Sequence, residues 1–183
     1  MRGVQRPNII RIPDPSLVIM VGAAGSGKST LAARLFAPSA ILSSDAFRAA
    51  VAGNEADQRA TRTAFSILHR ELARRLADGR TTVVDATSVN PFARRGLIAR
   101  AAAHGVPAVA IVLALDPAIV LARNAARERV VPEHAVRRQL AELARSLQPR
   151  TLEAEGFSAV HVVRTPAEQD ALQVELSPRT PRR

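Results

Sequence analysis

The sequence contains no cysteine, tryptophan or tyrosine, and lysine occurs once in its 183 residues. The absence of cysteine excludes disulfide bonds, a thiolate nucleophile and cysteine-ligated metal sites. No apolar run approaches the ~18 residues of a membrane-spanning helix, and the N-terminus lacks the apolar core of a signal peptide. These absences favour a protein of the reducing cytoplasm with no membrane partner.

The composition is typical of one folded domain. A chain of this length buries a substantial core, and 47% of its residues are hydrophobic while 23% are charged. We expect the domain at residues 16–176, between a basic extended arm (1–15, ordered only near Ile9 to Ile12) and a disordered basic tail (177–183). The net charge of +10 favours polyanionic partners, although a general drift toward arginine would produce the same value.

A glycine-rich loop between a strand and a helix is the most specific feature of the sequence. The apolar run Leu17–Val21 predicts a buried parallel strand, and Leu31 and Leu35 predict the buried face of a helix from Ser29 to Phe36. The loop between them, GAAGSGKS at residues 22–29, fits the phosphate-loop (P-loop) pattern G-x-x-x-x-G-K-[ST]. Its backbone N–H groups, with the helix dipole, would bind phosphate. The predicted nucleotide-binding residues are Gly22, Ala23, Ala24, Gly25, Ser26, Gly27, Lys28, Ser29 and Thr30.

Two side chains of this loop have roles that follow from phosphate chemistry. Lys28, the only lysine in the chain, would reach the outer phosphates and act in catalysis, and the Ser29 hydroxyl would be a ligand of Mg²⁺. We therefore expect ATP or another NTP as phosphate donor and Mg²⁺ as cofactor.

Strands alternate with helices along the rest of the chain. Further strands are predicted at residues 40–42, 81–85, 109–115 and 159–163, the last of these being the final strand, and predicted helices include 43–51, 55–77, 91–103 and 132–147. This order predicts an α/β fold in which a parallel five-stranded sheet is flanked by helices. Ligand sites of such sheets lie at the carboxyl ends of the strands.

A carboxylate and an arginine follow the second strand. Asp45 and Arg48 are three residues apart, so both would lie on one helix face at the mouth of the site. A phosphotransferase needs a base for the acceptor hydroxyl and a cation for the acceptor or the transferred phosphate. Asp45 and Arg48 fit these catalytic and acceptor-binding roles, and a helix cap with an ion pair is the structural alternative.

The third strand ends in Asp85, where nucleotide-binding folds place a carboxylate that faces Mg²⁺ through water. Thr87 and Asn90 follow and would orient an acceptor or a phosphate, whereas the alternative for Asp85 is a turn cap. Phe92 lies beside this segment and could stack a base, but we expect it in the core.

Arginines follow the fourth strand. Arg123 and Arg127 at i, i+4 repel each other in an isolated helix, and an anionic ligand would relieve that repulsion. A mobile lid, at about residues 123–132, would bring them to the phosphates and exclude water. A solvated basic face paired with Glu128 and Glu133 is the alternative.

The order of these motifs resembles the polynucleotide 5′-hydroxyl kinases, in particular the kinase module of bacterial polynucleotide kinase–phosphatases and the phage end-healing enzyme. The resemblance covers about Leu17 to Glu168 and rests on the segments GAAGSGKST, SSDAFR, VVDATSVNP, ARNAARERVVPEHAVRRQ and EGFSAVHVVRTPAE. It implies an adenylate-kinase-like P-loop NTPase fold with an arginine-bearing lid.

The resemblance also implies roles for individual residues. Asp45 would be the general base on a 5′-hydroxyl, Arg48 a ligand of the acceptor or scissile phosphate, and Asp85 the essential strand-end carboxylate. Arg123 and Arg127 would be lid arginines on the nucleotide phosphates, with Arg123 also among the nucleotide-binding residues.

We therefore expect a kinase that phosphorylates 5′-hydroxyl ends of DNA or RNA. A phosphatase or ligase partner, on a separate chain or in a longer parent protein, is expected because the family pairs these activities. A kinase of a small hydroxylated metabolite, nucleoside or antibiotic shares every nucleotide residue and stays the main alternative. A nucleotide-dependent switch without kinase activity is the third.

Overall fold

A five-stranded parallel sheet lies at the centre of the fold. The computed structural model describes residues 8–44 and 58–178, and the strands of this sheet are β2 (Leu17–Val21), β3 (Ile41–Ser43), β4 (Thr82–Asp85), β5 (Ala108–Leu113) and β6 (Ala159–Val163). A separate pair of parallel strands, β1 (Asn8–Asp14) and β7 (Leu172–Pro178), forms a second sheet.

Helices connect the strands. A short 3₁₀ turn at Pro38–Ala40 precedes β3. The described helices are α1 (Lys28–Leu35), α2 (Gln58–Ala77), α3 (Pro91–Ala103), α4 (Pro117–Ala125), α5 (Glu133–Ser146), α6 (Thr151–Ala154) and α7 (Pro166–Ala171). Within this part of the chain, no helix is long and apolar enough to cross a membrane.

The strand order in the main sheet is β3-β4-β2-β5-β6, with every pair parallel. The strand that precedes the P-loop is thus central, between β4 and β5. Its five residues are all buried, as expected for a parallel strand that is covered by helices on both faces. The predicted parallel five-stranded sheet flanked by helices is confirmed.

Two hydrophobic layers cover the faces of this sheet. One contains Leu17, Ile19 and Val21 of β2 with apolar residues of α2 and α3, and the other contains Val18 and Met20 with residues of α1, α4 and α5. The alternation of β2 side chains between the layers follows from the two-residue period of a strand. Both faces of the sheet are therefore covered, and a binding site can form at the carboxyl ends of its strands.

The predicted boundaries of the domain need correction at both ends. Residues 8–14 were expected in an arm outside the domain, yet they form β1, with Ile10 and Ile12 buried. The strand at 159–163 was expected to be the last, yet β7 follows it and includes residues 177 and 178 of the predicted tail. Residues 1–7 and 179–183 lie outside the described part of the chain.

The pairing of these strands explains why both were missed. Each is seven residues long but is interrupted by prolines or charged residues, so neither has the apolar run of a buried strand. Each strand pairs only with the other, in the register Ile10↔Val174 and Ile12↔Leu176. An ion pair between Arg11 and Glu175, at 3.0 Å, joins the same two strands. A partner more than 150 residues away in sequence is not visible in local patterns.

Arg94 is a charged residue at the centre of the packing between α3, α5 and α6. Its side chain is fully buried and bonds both carboxylate oxygens of Glu155, at 2.7 and 2.6 Å. It also donates to the carbonyls of Ser88 and Val89, at 2.9 and 2.6 Å, and to the Ser146 hydroxyl. Arg94 thus holds the loop that follows β4 against the start of α3.

We expect Arg94→Ala to lower the free energy of unfolding by about 3–5 kcal/mol, because the buried carboxylate of Glu155 loses its counter-charge. Urea denaturation followed by circular dichroism measures the change. The neighbouring exposed Arg95→Ala is the matched control and should stay within about 0.5 kcal/mol of the wild type. Equal losses for the two variants would contradict the anchoring role of Arg94.

Candidate active site

The P-loop connects β2 to α1 and depends on two glycines in the left-handed region. Gly25 has φ +86° and Gly27 has φ +88°. A Cβ atom on Gly25 would lie 2.5 Å from the Val120 carbonyl oxygen of α4, and one on Gly27 would lie 2.7 Å from Nε2 of Gln169 on α7. Both positions therefore favour glycine for conformation, and Gly25 also requires it for space because the close atom there is backbone.

Lys28 lies at the start of α1 and is only 8% exposed. Its Nζ donates to the Ala23 carbonyl oxygen at 2.8 Å, across the loop. Burial lowers the pKa of Lys28 to about 8; the nearby Asp85 carboxylate raises this pKa and the Arg127 guanidinium lowers it. The site thus holds an ammonium that an anionic ligand would stabilise in its charged form.

The carboxyl ends of β2, β3 and β4 meet beside this loop. Asp85 is buried, stands opposite Met20 and Ser43 in the ladder, and lines the cleft together with Thr87. Ser44, which follows β3, also lines it. Asp45 and Arg48 lie outside the described residues, and their roles remain predictions.

Asn90 has a structural role in the described fold. Its side chain accepts a hydrogen bond from the Phe92 backbone N–H at 2.8 Å and caps α3. Asn90 is not among the cleft-lining residues. Its predicted contact with an acceptor is not tested by this arrangement and stays a prediction.

The arginines of the predicted lid reach the same cleft. Arg123 lies in the last turn of α4 and is half-buried, whereas Arg127 is exposed in the following loop; both line the cleft, as does Arg129. The loop is closed by Asn124, whose side chain donates to the Val131 carbonyl at 2.8 Å and accepts from the Val131 N–H at 3.2 Å.

The resulting cleft has a volume of about 570 Å³ and a strongly positive lining. Its described cationic side chains are Lys28, Arg34, Arg123, Arg127 and Arg129, and its described carboxylates are Asp85 and Asp170. Five cations against two carboxylates favour a ligand with several negative charges.

Two glutamines connect the P-loop to distant elements, and the sequence analysis missed both. Gln139 of α5 accepts a hydrogen bond from the Ala24 N–H at 2.8 Å. Gln169 of α7 donates to the carbonyls of Ser26 and Gly27, at 3.2 and 3.4 Å, and accepts from Arg123 at 2.9 Å. Neutral amides have no sequence pattern that would single them out.

Arg34 supports the same region from α1. It donates to the Leu172 carbonyl at 2.9 Å and to the Gln169 carbonyl. The end of α7 and the start of β7 are therefore tied to the helix that follows the P-loop. Gln169 in turn connects the P-loop to Arg123, so the loop and the α4 arginine form one hydrogen-bonded unit.

The residues present fit Mg²⁺ in the company of a nucleotide. Ser29 offers a hydroxyl beside the P-loop and Asp85 a carboxylate at the adjacent strand end, and both line the cleft. Oxygen ligands of this kind, completed by water and phosphate, are those that Mg²⁺ prefers. Among the described residues, no cluster of three or more histidine, aspartate or glutamate side chains forms a metal site by itself.

A family profile described as an AAA domain matches residues 17–149, from the first residue of β2 to just past α5. This is more than two thirds of the chain. The chain belongs to this family of P-loop kinase-like domains. No curated protein matches it.

Solved structures of kinases share the fold. A chain of the Pnkp1/Rnl/Hen1 RNA repair complex matches with a TM-score of 0.64 and 18% identity, over 84% of this chain and 48% of that chain, so this AAA domain spans about half its length. A sugar kinase from Janibacter sp. HTCC2649 matches with a TM-score of 0.53 and 21% identity, over 82% and 85%. The tunicamycin resistance protein of Deinococcus radiodurans has a TM-score of 0.54 and 15% identity, over 86% and 91%. Identities this low show the fold alone.

We expect nucleotide affinity to fall above pH 8. Polyphosphate binds the charged form of Lys28, whose pKa in the unliganded protein is about 8, so binding above that pH must take up a proton. The dissociation constant should be flat below pH 8 and rise by up to about tenfold per pH unit above it. Calorimetric titration with ATP from pH 7 to 9.5 measures both the affinity and the proton uptake.

Lys28→Arg is the control for this pH effect, because arginine stays charged throughout the range. Its affinity for ATP should be lower overall but independent of pH. A wild-type affinity that is also independent of pH would show that Lys28 stays charged at pH 9.5.

We expect Gln169→Leu to weaken ATP binding about tenfold, because two P-loop carbonyls and the Arg123 guanidinium lose a hydrogen-bond partner. Calorimetry at pH 7.5 measures the change. Gln173→Ala, an exposed glutamine of β7, is the matched control and should bind ATP as the wild type does. Wild-type affinity in the Gln169 variant would contradict the positioning role.

Proposed function

We propose that this protein is a kinase that transfers the γ-phosphoryl group of ATP, or another NTP, to the 5′-hydroxyl end of DNA or RNA. The observation that carries the proposal is the cationic cleft, in which a P-loop lysine and four arginines oppose two carboxylates. A polynucleotide end adds its own phosphodiester charge to that of the triphosphate. A cleft with this excess of cations suits both anions together.

The sequence supports the choice of acceptor. The S-x-D-x-x-R element at residues 43–48 and R-N-x-x-R at 123–127 occur in the order found in polynucleotide 5′-hydroxyl kinases. The net charge of +10 would help to hold an acceptor strand through its phosphates.

The proposed reaction is an in-line displacement. The acceptor 5′-oxygen attacks the γ-phosphorus, the bond between this phosphorus and the bridging oxygen of the β-phosphate breaks, and ADP leaves. Asp45 takes the proton of the hydroxyl, and Arg48 holds the acceptor or scissile phosphate. Both assignments rest on the sequence.

The P-loop and the arginines would stabilise the charge that moves during this step. Lys28 and the N–H groups of residues 25–30 hold the β- and γ-phosphates, while Arg123 and Arg127 balance charge on the transferred group. Lid closure around residues 123–132 would exclude water from the reacting phosphate. Mg²⁺, held by Ser29 and through water by Asp85, would neutralise phosphate charge when bound.

Acceptor binding by Thr87 and Asn90 belongs to the same proposal. Thr87 lines the cleft beside Asp85, which suits a contact with the acceptor end. A phosphatase or ligase, on a separate chain or in a longer parent protein, is the partner that we propose for such a kinase.

A second candidate is a kinase of a small hydroxylated metabolite, nucleoside or antibiotic. The specific observation in its favour is the match with a sugar kinase over 82% of this chain and 85% of that one. Such an enzyme would use the same P-loop and arginines and would differ only in its acceptor contacts.

The test uses ATP labelled at the γ-phosphate, Mg²⁺ and a 5′-hydroxyl oligonucleotide, with a 5′-phosphorylated oligonucleotide as the negative acceptor. We expect label only on the 5′-hydroxyl strand. Lys28→Ala and Asp45→Ala should each lower kcat by at least about a hundredfold, because one removes phosphate charge stabilisation and the other the base. The exposed Asp78→Ala should retain full activity.

The acceptor decides between the two candidates. If no DNA or RNA strand is labelled while ATP still binds, the polynucleotide proposal is wrong. Labelling of gluconate, a sugar or a nucleoside in a parallel panel would then support the small-molecule candidate. ATP hydrolysis that no acceptor accelerates would argue against both kinases.

A further inference from the structure

Phe92 is exposed, contrary to its predicted place in the core. Its side chain is 84% exposed, the highest value among the large apolar residues in the part of the chain that the structure describes. It lies in the first turn of α3, whose start is fixed by the Asn90 cap. The ring therefore adds nothing to the core and is accessible to a ligand.

The ring belongs to a groove on the outer face of α3. Phe92, Gly96 and Arg100 follow at intervals of four residues, so they lie along one side of the helix, with Arg95 beside them. These residues, together with Ala93 and His69 of α2, line a groove of about 540 Å³, which we call the α3 groove. Two cations and one exposed ring thus share one concave surface.

Gly96 lies on the lining of the groove, one helical turn from Phe92 and one from Arg100. A Cβ atom here would make only an ordinary van der Waals contact, 3.4 Å, with the Arg100 guanidinium. That guanidinium donates to the Gly96 carbonyl oxygen at 2.7 Å. The Arg100 side chain therefore lies back along the helix, and its charge stays in the groove without blocking it.

The α3 groove lies close to the active-site cleft and is fixed relative to it. Thr87 lines the cleft and Phe92 the groove, and five residues of chain can separate their Cα atoms by at most about 18 Å. Arg94 bonds the carbonyls of Ser88 and Val89 between them. The loop from cleft to groove is thus anchored to a buried side chain.

We propose that the α3 groove binds the single-stranded nucleic acid that follows the acceptor 5′ end, with a base stacked on Phe92 and phosphates on Arg95 and Arg100. Base stacking on an aromatic ring beside cations is the chemistry of sequence-tolerant single-strand binding. Phe92 lies at the start of α3, and Arg95 and Arg100 follow it along the helix, which suits a strand whose base stacks on the ring while its phosphates contact the arginines. This inference rests on the proposed function, because it assigns the path of that acceptor.

Binding without any nucleotide tests the groove by itself. Fluorescence anisotropy of a 3′-labelled 5′-hydroxyl dT 12-mer gives the dissociation constant and its dependence on salt. We expect Phe92→Ala to raise the dissociation constant at least about fivefold and Phe92→Trp to leave it near the wild-type value, since tryptophan restores the stacking surface. Leu176→Ala, an exposed apolar residue of β7, is the matched control and should bind as the wild type does.

The charged part of the groove is tested by the salt dependence. Arg95→Ala should reduce the slope of log Kd against log salt concentration by about 0.7, the value for one phosphate contact to a single strand. Arg95→Lys should restore the slope. Arg145→Ala, an exposed arginine on α5, should leave it unchanged.

A kinase assay separates failure of the groove from failure of the proposed function. Phe92→Ala should raise KM for the 12-mer while leaving transfer to thymidine 3′-monophosphate, which lacks the downstream nucleotides that we assign to the groove, at the wild-type rate. Strand binding that depends on Phe92 without any phosphate transfer would support the groove and overturn the kinase proposal. Equal strand affinity of Phe92→Ala and wild type, with transfer intact, would overturn the groove alone, as would a wild type that binds no strand.

Discussion

The buried ammonium of Lys28 is the constraint around which the site is built. Burial costs a charged amine solvation, and this side chain has a carbonyl contact at 2.8 Å and the field of Asp85 as partial compensation. The P-loop around it is held by Gln169 of α7, which donates to the carbonyls of Ser26 and Gly27, and by the Gln139 side chain of α5, which accepts from the Ala24 N–H. The unliganded site therefore contains a buried ammonium whose charge is only partly compensated. An anionic ligand such as a polyphosphate would supply the missing negative charge.

The arginines that line the cleft add further positive charge to that of Lys28. Arg123 is held by Gln169, which also bonds the P-loop carbonyls, so the cation and the loop keep a fixed relation. Arg127 is exposed and adds to the depression of the Lys28 pKa. The site thus combines one arginine that is held by a hydrogen bond, Arg123, with one that faces solvent, Arg127.

The central sheet and the P-loop could be predicted from the sequence because their signals are local. β2, the glycine loop and α1 lie within a few turns of chain, and strand-end residues such as Asp85 follow apolar runs. β1 and β7 could not be predicted, because each depends on a partner at the other end of the chain. The exposure of Phe92 was also missed, since an aromatic at a helix start has the same sequence pattern whether it is covered or not.

The supporting contacts of the site were beyond sequence reasoning for a different reason. Gln139 and Gln169 act through neutral amide bonds to backbone atoms, and any polar residue of that reach would fit the same pattern. Asn90 was expected at an acceptor, and its cap of α3 shows how a helix start and a binding residue share one signature. The sequence predicts which residues have the chemistry to bind a ligand or cap a helix, whereas tertiary packing decides which contacts each residue makes.

The pairing of β1 with β7 has a consequence for the way the protein is made. During synthesis β1 has no partner until β7, more than 150 residues later, has left the ribosome, so this pair can form only after the strands of the central sheet have been made. The carbonyls of Gln169 and Leu172, which Arg34 binds, belong to the same late segment. A chain that stops short of residue 169 would keep all five strands of the central sheet but would lack the Gln169 amide that bonds the P-loop carbonyls. The phosphate loop therefore depends on a segment that is made after every strand of the central sheet.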